Sequence, residues 1–145
     1  MGNGFVSRSK DYKKSTTSCL DWDENKLDSE EGEYVGKIVN LCRKNGINIV
    51  LTTVVQDPDT VSEKCSGFAQ ADAYISDLAA QLDVKYLNFN KLKFDVLDRT
   101  TDDFYDKEGH MYGDMAEKFS AVCAKAVKEA IAYTLNEEDY FDKDM

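Results

Sequence analysis

His110 is the only histidine in the chain, and acidic residues precede it at Asp102, Asp103, Asp106 and Glu108. The stretch Asp102 to Ser120, DDFYDKEGHMYGDMAEKFS, carries a glycine beside the histidine and leads into an amphipathic run. A carboxylate shortly before a histidine, in a loop that feeds a helix, makes an acid–base pair. The carboxylate orients the imidazole and stabilises its protonated form, so the ring can take a proton from a nucleophile. The same acidic residues also admit two blander readings. One is a solvated loop with a surface histidine. The other is an oxygen-rich cation site built from Asp102, Asp103, Asp106 and Asp114, although their spacing is not that of an EF-hand.

The elements that must position this loop follow from periodicity. Ser29 to Asn45 predicts a helix, with Ser29 as cap, Glu30, Glu31 and Glu33 at the positive end of its dipole, and Arg43 and Lys44 at the other. Its apolar stripe is Tyr34, Val35, Ile38, Leu41 and Cys42, and Asn45-Gly46 is the stop. Residues 47–55, INIVLTTVV, are β-branched and nearly continuously apolar, as in a strand covered on both faces of a parallel sheet. Asp57-Pro58-Asp59 predicts a turn just past its end, where ligand sites of open α/β sheets lie. A second helix is expected from Phe68 to Leu82, with Phe68, Ala71, Ile75, Leu78, Ala79 and Leu82 on its buried face. A second strand is expected from Val84 to Phe89. Residues 90–101 are irregular, with Leu92, Phe94, Val96 and Leu97 as anchors. The final helix, Gly113 to Leu135, repeats Met115, Phe119, Val122, Ala126 and Ala130 at spacings of three and four. The acidic tail NEEDYFDKDM is expected to fray.

The chain has 145 residues, 42% of them hydrophobic, which suits one domain spanning 1–145: a polar N-terminal segment, 1–32, a core, 33–135, and the tail, 136–145. Trp22 is expected to cover a core edge. A net charge of −10 repels phosphate backbones, so a nucleic-acid partner is disfavoured. The opening MGNGFVSRSKDYKK has no apolar segment of a signal peptide, and no apolar run approaches the ~20 residues of a membrane span, so a soluble chain is expected. Cys19, Cys42, Cys65 and Cys123 form no CxxC pair, and with one histidine they do not argue for zinc. Cys42 and Cys123 fall on apolar helix faces and are expected free and buried. Cys19 and Cys65 stand in polar surroundings, with their pairing open. No cofactor is called for.

Helix, strand, helix, strand, loop, helix is the order of an α/β protein with right-handed crossovers and parallel strands. LCRKNG running into INIVLTTVV, then DVKYLNFN, then FYD, His110 and AEKF, resembles the C-terminal half of SGNH/GDSL-type hydrolases. The likeness is closest to the bacterial group related to cell-envelope O-acyl-transfer and D-alanyl-transfer proteins, and it covers roughly Glu33 to Val127. In that family a strand-to-helix loop carries Asp-x-x-His, written like FYD-xx-H-x-N and followed by G-A-x-K-F. The resemblance implies a three-layer α/β/α fold with a parallel, flavodoxin-like sheet, here with fewer strands than the family has. It makes His110 the catalytic base and Asp106 its acidic partner. It also implies acyl-ester substrates on carbohydrate or cell-envelope polymers, and a cell-envelope or extracellular location.

The chain departs from the family in three ways. Asp106 and His110 are one residue further apart than the family spacing, Tyr112 stands where asparagine is common, and no Gly-Asp-Ser nucleophile block is present. Two functions are therefore expected to compete. One is an esterase or acyltransferase half whose serine comes from another segment or chain, weakly active alone. The other is a non-catalytic α/β binding or assembly domain. A homo-oligomer, or a missing N-terminal half, is the partner implied by so short a sheet.

Overall fold

The computed structural model describes residues 29–61, 67–106 and 109–143. The expectations for Trp22, Cys19, Cys65 and the N-terminal serines fall outside these residues. The elements run α1 (Ser29–Lys44), β1 (Val50–Thr52), α2 (Pro58–Val61), α3 (Gly67–Gln81), β2 (Lys85–Leu87) and α4 (Gly113–Ile131). The two strands pair in parallel, with Val50 opposite Lys85, Leu51 opposite Tyr86 and Thr52 opposite Leu87. The expected helix–strand alternation and the parallel pairing are thus present. Among the described residues no helix is long and apolar enough to cross a membrane.

The three long helices end in the same way. Beyond α1, Gly46 takes φ +66°, its N–H bonds Arg43 O, and the Ile47 N–H bonds Cys42 O. Asp83 (φ +51°) does this after α3, with bonds from Asp83 to Ala80 O and from Val84 to Ala79 O. Tyr133 (φ +57°) does it after α4, with bonds to Ala130 O and from Thr134 to Glu129 O. These paired bonds satisfy carbonyls that the last helical turn leaves open. Glycine and aspartate at such a position are readable from sequence. A tyrosine is not, which is why α4 stops at Ile131 rather than Leu135.

Several expectations change. The strand expected over 47–55 is a strand only at Val50–Thr52, with one further bond from the Thr53 N–H to Leu87 O (3.2 Å), because Ile47 is spent in the α1 stop and β2 offers three residues of partner. Val50 and Leu51 are only half-buried, and Thr52 is exposed. The turn at Asp57-Pro58-Asp59 opens a one-turn helix, α2. Most of the apolar stripe expected to bury α1 faces outward: Tyr34, Ile38 and Leu41 are each more than half exposed, Val35 and Cys42 are half-buried, and Val39, off the stripe, is fully buried. α1 meets α3 through Gly32, Gly36 and Arg43 instead. Gly32 faces the Tyr74 hydroxyl and Gly36 faces Leu82. Arg43 Nη2 donates to Leu82 O (2.6 Å) and Asp83 O (2.7 Å) at the end of α3. Cys42 and Cys123 carry free thiols but are half-buried rather than buried, and burial raises the Cys123 thiol.

The core gathers Val55, Leu87, Phe89, Leu92, Leu97 and Phe104 against Met115, Phe119, Ala126 and Ala130 of α4. The α4 stripe is therefore the expected one. The tail docks instead of fraying. Lys93 N–H bonds Tyr140 O and Asp142 N–H bonds Lys91 O, both 2.9 Å, so residues 91–93 and 140–142 clip together antiparallel. Tyr140 is buried, its hydroxyl donates to Glu129 Oε2 (2.8 Å), and Phe141 packs edge-on to Phe89. Of the irregular segment's anchors, Leu92 and Leu97 are buried, Val96 is partly so, and Phe94 is exposed. Phe94 instead stacks on Arg99, a buried guanidinium that donates to Leu97 O and Leu92 O. Burial lowers the Arg99 guanidinium, and Asp142 offsets that in part.

Tyr133 gives a direct check on the helix-stop geometry. Left-handed backbone costs an L-residue about 1–2 kcal/mol, and glycine avoids that cost at the expense of greater chain freedom when unfolded. Because Tyr133 is 88% exposed, its side chain contributes little burial. Tyr133→Gly should therefore stabilise the chain by about 0.5–1 kcal/mol, raising Tm by about 2–4 °C in a thermal melt. A lowered Tm would contradict the assignment.

Candidate active site

The loop that carries His110 is a closed hairpin. Phe104 and Met111 form an antiparallel bridge, the Tyr105 N–H bonds His110 O (2.7 Å), and the Tyr112 N–H bonds Asp103 O (3.0 Å). Its base is set in the core by Phe104, Tyr112 and Met115, all buried. Upstream, Asp103 Oδ2 accepts from the Thr100 N–H (2.8 Å) and the Thr100 hydroxyl (3.1 Å), fixing the turn that enters the hairpin.

Within this frame Asp106 and His110 meet. Asp106 Oδ2 lies 2.7 Å from His110 Nδ1, and Asp106 Oδ1 accepts from the His110 backbone N–H at 3.2 Å. The Asp106 side chain is 8% exposed and that of His110 is 59% exposed. A buried carboxylate so engaged holds Nδ1–H toward itself and leaves Nε2 as the ring nitrogen open to a reactant. That is the arrangement of a general base and its orienting acid. The pair expected from sequence is thus brought together, with Gly109 between the two residues. Gly109 takes φ +88°, and a Cβ there would overlap the side-chain amide of Gln56. The four carboxylates of the cation reading are not gathered. Among the described residues no group of three or more His, Cys, Asp or Glu side chains is placed to hold a metal.

The contact between Gly109 and Gln56 also locates the loop. Gln56 follows β1 in the chain, so the pair sits beyond the C-terminal ends of the parallel strands, where open α/β sheets place ligands. A polar web braces that rim. Thr53 donates to Asn88 Oδ1 (2.8 Å), which also accepts the Asn90 N–H (3.0 Å), and Asn90 Oδ1 accepts the Gln56 N–H (2.9 Å). Asn88 Nδ2 donates to Asp72 Oδ1 (2.7 Å), and Lys91 pairs with Asp72 Oδ2 (2.8 Å). Burial works to raise the Asp72 carboxyl, but the bonds from Lys91 and Asn88 outweigh it and hold the group below its usual range. Asp57, fully buried, accepts from the Asp59 N–H and from the Thr101 hydroxyl, tying the strand end to the segment that precedes the hairpin.

Sequence reasoning found Asp106 and His110 but passed over Gln56, Asn88 and Asn90. The available signal was a polar residue directly after each apolar strand segment: VVQ at 54–56 and NFN at 88–90. Among the described residues no serine or threonine hydroxyl is bonded to His110. Comparisons with protein-family models, curated proteins and solved structures find no match for this chain.

Gly109 and Gly46 separate strain from crowding. Both have positive φ, but a Cβ at Gly46 meets open space whereas one at Gly109 meets Gln56. Gly46→Ala and Gly109→Ala should each cost about 1–2 kcal/mol of backbone strain in urea unfolding, because the Gln56 amide that a Cβ at Gly109 meets is the far end of a flexible side chain and can move aside. A much larger cost at Gly109 would mean that the Gln56 side chain is held in place.

Proposed function

We propose that this chain is the base-bearing half of an SGNH-type esterase or O-acyltransferase, with His110 as general base and Asp106 as its orienting acid. The observation that carries the reading is the 2.7 Å bond from buried Asp106 to Nδ1 of a half-exposed histidine, beyond the C-terminal ends of parallel strands. The FYD…H…AEKF pattern supports the family, and with it the three-layer α/β/α sheet and the carbohydrate or cell-envelope acyl esters.

In the reaction, Nε2 takes the proton of a hydroxyl nucleophile as its oxygen attacks the acyl carbon. Asp106 stabilises the imidazolium, and the proton then passes to the departing alkoxide as the ester C–O bond breaks. The serine and the oxyanion donors come from a separate segment or chain. A base without them retains only a small part of the rate enhancement.

The test is release of p-nitrophenol from p-nitrophenyl acetate. With water as the nucleophile, Nε2 takes its proton as the oxygen attacks the acetyl carbon, p-nitrophenolate leaves, and acetate and the proton pass to solvent. The expected release is slow and lost in His110→Ala, and it falls about tenfold in Asp106→Ala, which leaves the ring unoriented. A rate unchanged by His110→Ala would remove the reading. Rapid turnover would instead place the serine within this chain.

A further inference from the structure

We propose that the outward face of α1 pairs with the same face of a second copy of this chain, the two helices running antiparallel about a twofold axis beside Ile38. The inference is independent of the chemistry at His110. Gly32, Gly36 and Arg43 of α1 meet α3 and Val39 is buried, yet Tyr34, Ile38 and Leu41 on the other side of the helix are each more than half exposed. Large apolar side chains at spacings of four and three lie one above the other and make a continuous stripe. A helix that is apolar on two sides has a second face to cover.

The stripe is ordered to fit itself. Tyr34 lies one turn before Ile38, and Leu41 one turn after it. Reversal about Ile38 therefore sets Tyr34 on the second copy's Leu41, Ile38 on its Ile38 and Leu41 on its Tyr34. Charge follows the same reversal. The carboxylates of α1, Glu30, Glu31 and Glu33, all precede Tyr34, and its cations, Lys37, Arg43 and Lys44, all follow it. The helix is thus neutral in a chain of net charge −10, and a second copy is repelled least there. Glu33 and Lys44 are three turns apart along one edge of the stripe. In an antiparallel pair each edge meets itself reversed, which brings Glu33 of either copy to Lys44 of the other. Lys37, on the same edge nearest the axis, is 3.5 Å from Glu33 and stands over the Tyr34 ring, so its charge is already balanced. A parallel pair would oppose like charges along the whole edge. Three apolar anchors with flanking charges are fewer than the roughly 20–30 residues a side of a standard interface, so the dimer is weak and dissociates on dilution.

Sedimentation equilibrium of the full chain tests the pairing. The parent chain should move from monomer at about 10 μM toward dimer at about 1 mM. Ile38→Glu, which sets two carboxylates together at the axis, should abolish the dimer. Glu33→Lys should weaken it about tenfold, and Glu33→Lys combined with Lys44→Glu should restore it to within about threefold. These three positions are exposed, so the variants keep the fold, and an unchanged far-UV spectrum checks that α1 is retained. A parent chain that stays monomeric overturns the proposal, and a Tm lowered by Ile38→Glu in that monomer would assign the stripe to residues 1–28 of the same chain. A dimer that survives Ile38→Glu places the contact on another face and overturns it too. A combined variant as weak as Glu33→Lys alone excludes the antiparallel pairing, with the same consequence.

Discussion

Among the described residues, the aromatic contact made by Phe89 joins the main pieces of the core. It is fully buried just after β2, with its ring edge-on to Phe119 of α4 (5.3 Å) and to Phe141 of the tail (5.6 Å). Those two contacts join three pieces that the backbone leaves separate: the sheet, the final helix and the C-terminal clip. A sheet of two three-residue strands has little ladder of its own, so its parallel pairing depends on side chains at its ends. Truncating a fully buried phenylalanine costs about 3–5 kcal/mol, a large part of the stability of a domain this size.

The site inherits its geometry from that core. Phe104 and Met115 reach into the same apolar cluster from either side of the hairpin, so the loop between them has little freedom to slide. Asp106 is drawn below the surface with it. A carboxylate there needs donors to offset its lost hydration, and His110 supplies two of them, through its backbone N–H and through Nδ1. The dyad is thus a consequence of burial: the acid requires the histidine, and the histidine is oriented by that requirement.

Much of this was legible in the sequence because it depended on local order. The α4 stripe from Met115 to Ala130, the Gly46 stop and the Asp106–His110 pairing all involve residues within a few turns of one another. What escaped depended on distant partners. The α1 stripe of Tyr34, Ile38 and Leu41 carries the right period, yet α3 side chains meet α1 at Gly32 and Gly36, on a different face. Tyr140 and Phe141 stand in an acidic tail that looks frayed until Leu92 and Phe89 are set beside them. Gln56 and Arg99 have no periodicity to betray them, and their importance lies in residues tens of positions away or in carbonyls of an irregular loop.

Asp106 fixes the His110 ring with its proton on Nδ1 and its lone pair on Nε2. The ring ¹⁵N spectrum of this single histidine reports it directly above the imidazole titration. The expected spectrum shows a protonated Nδ1 and a bare Nε2 in the parent chain, with that preference lost in Asp106→Ala. A proton on Nε2 in the parent chain, or the same spectrum in both proteins, would contradict it.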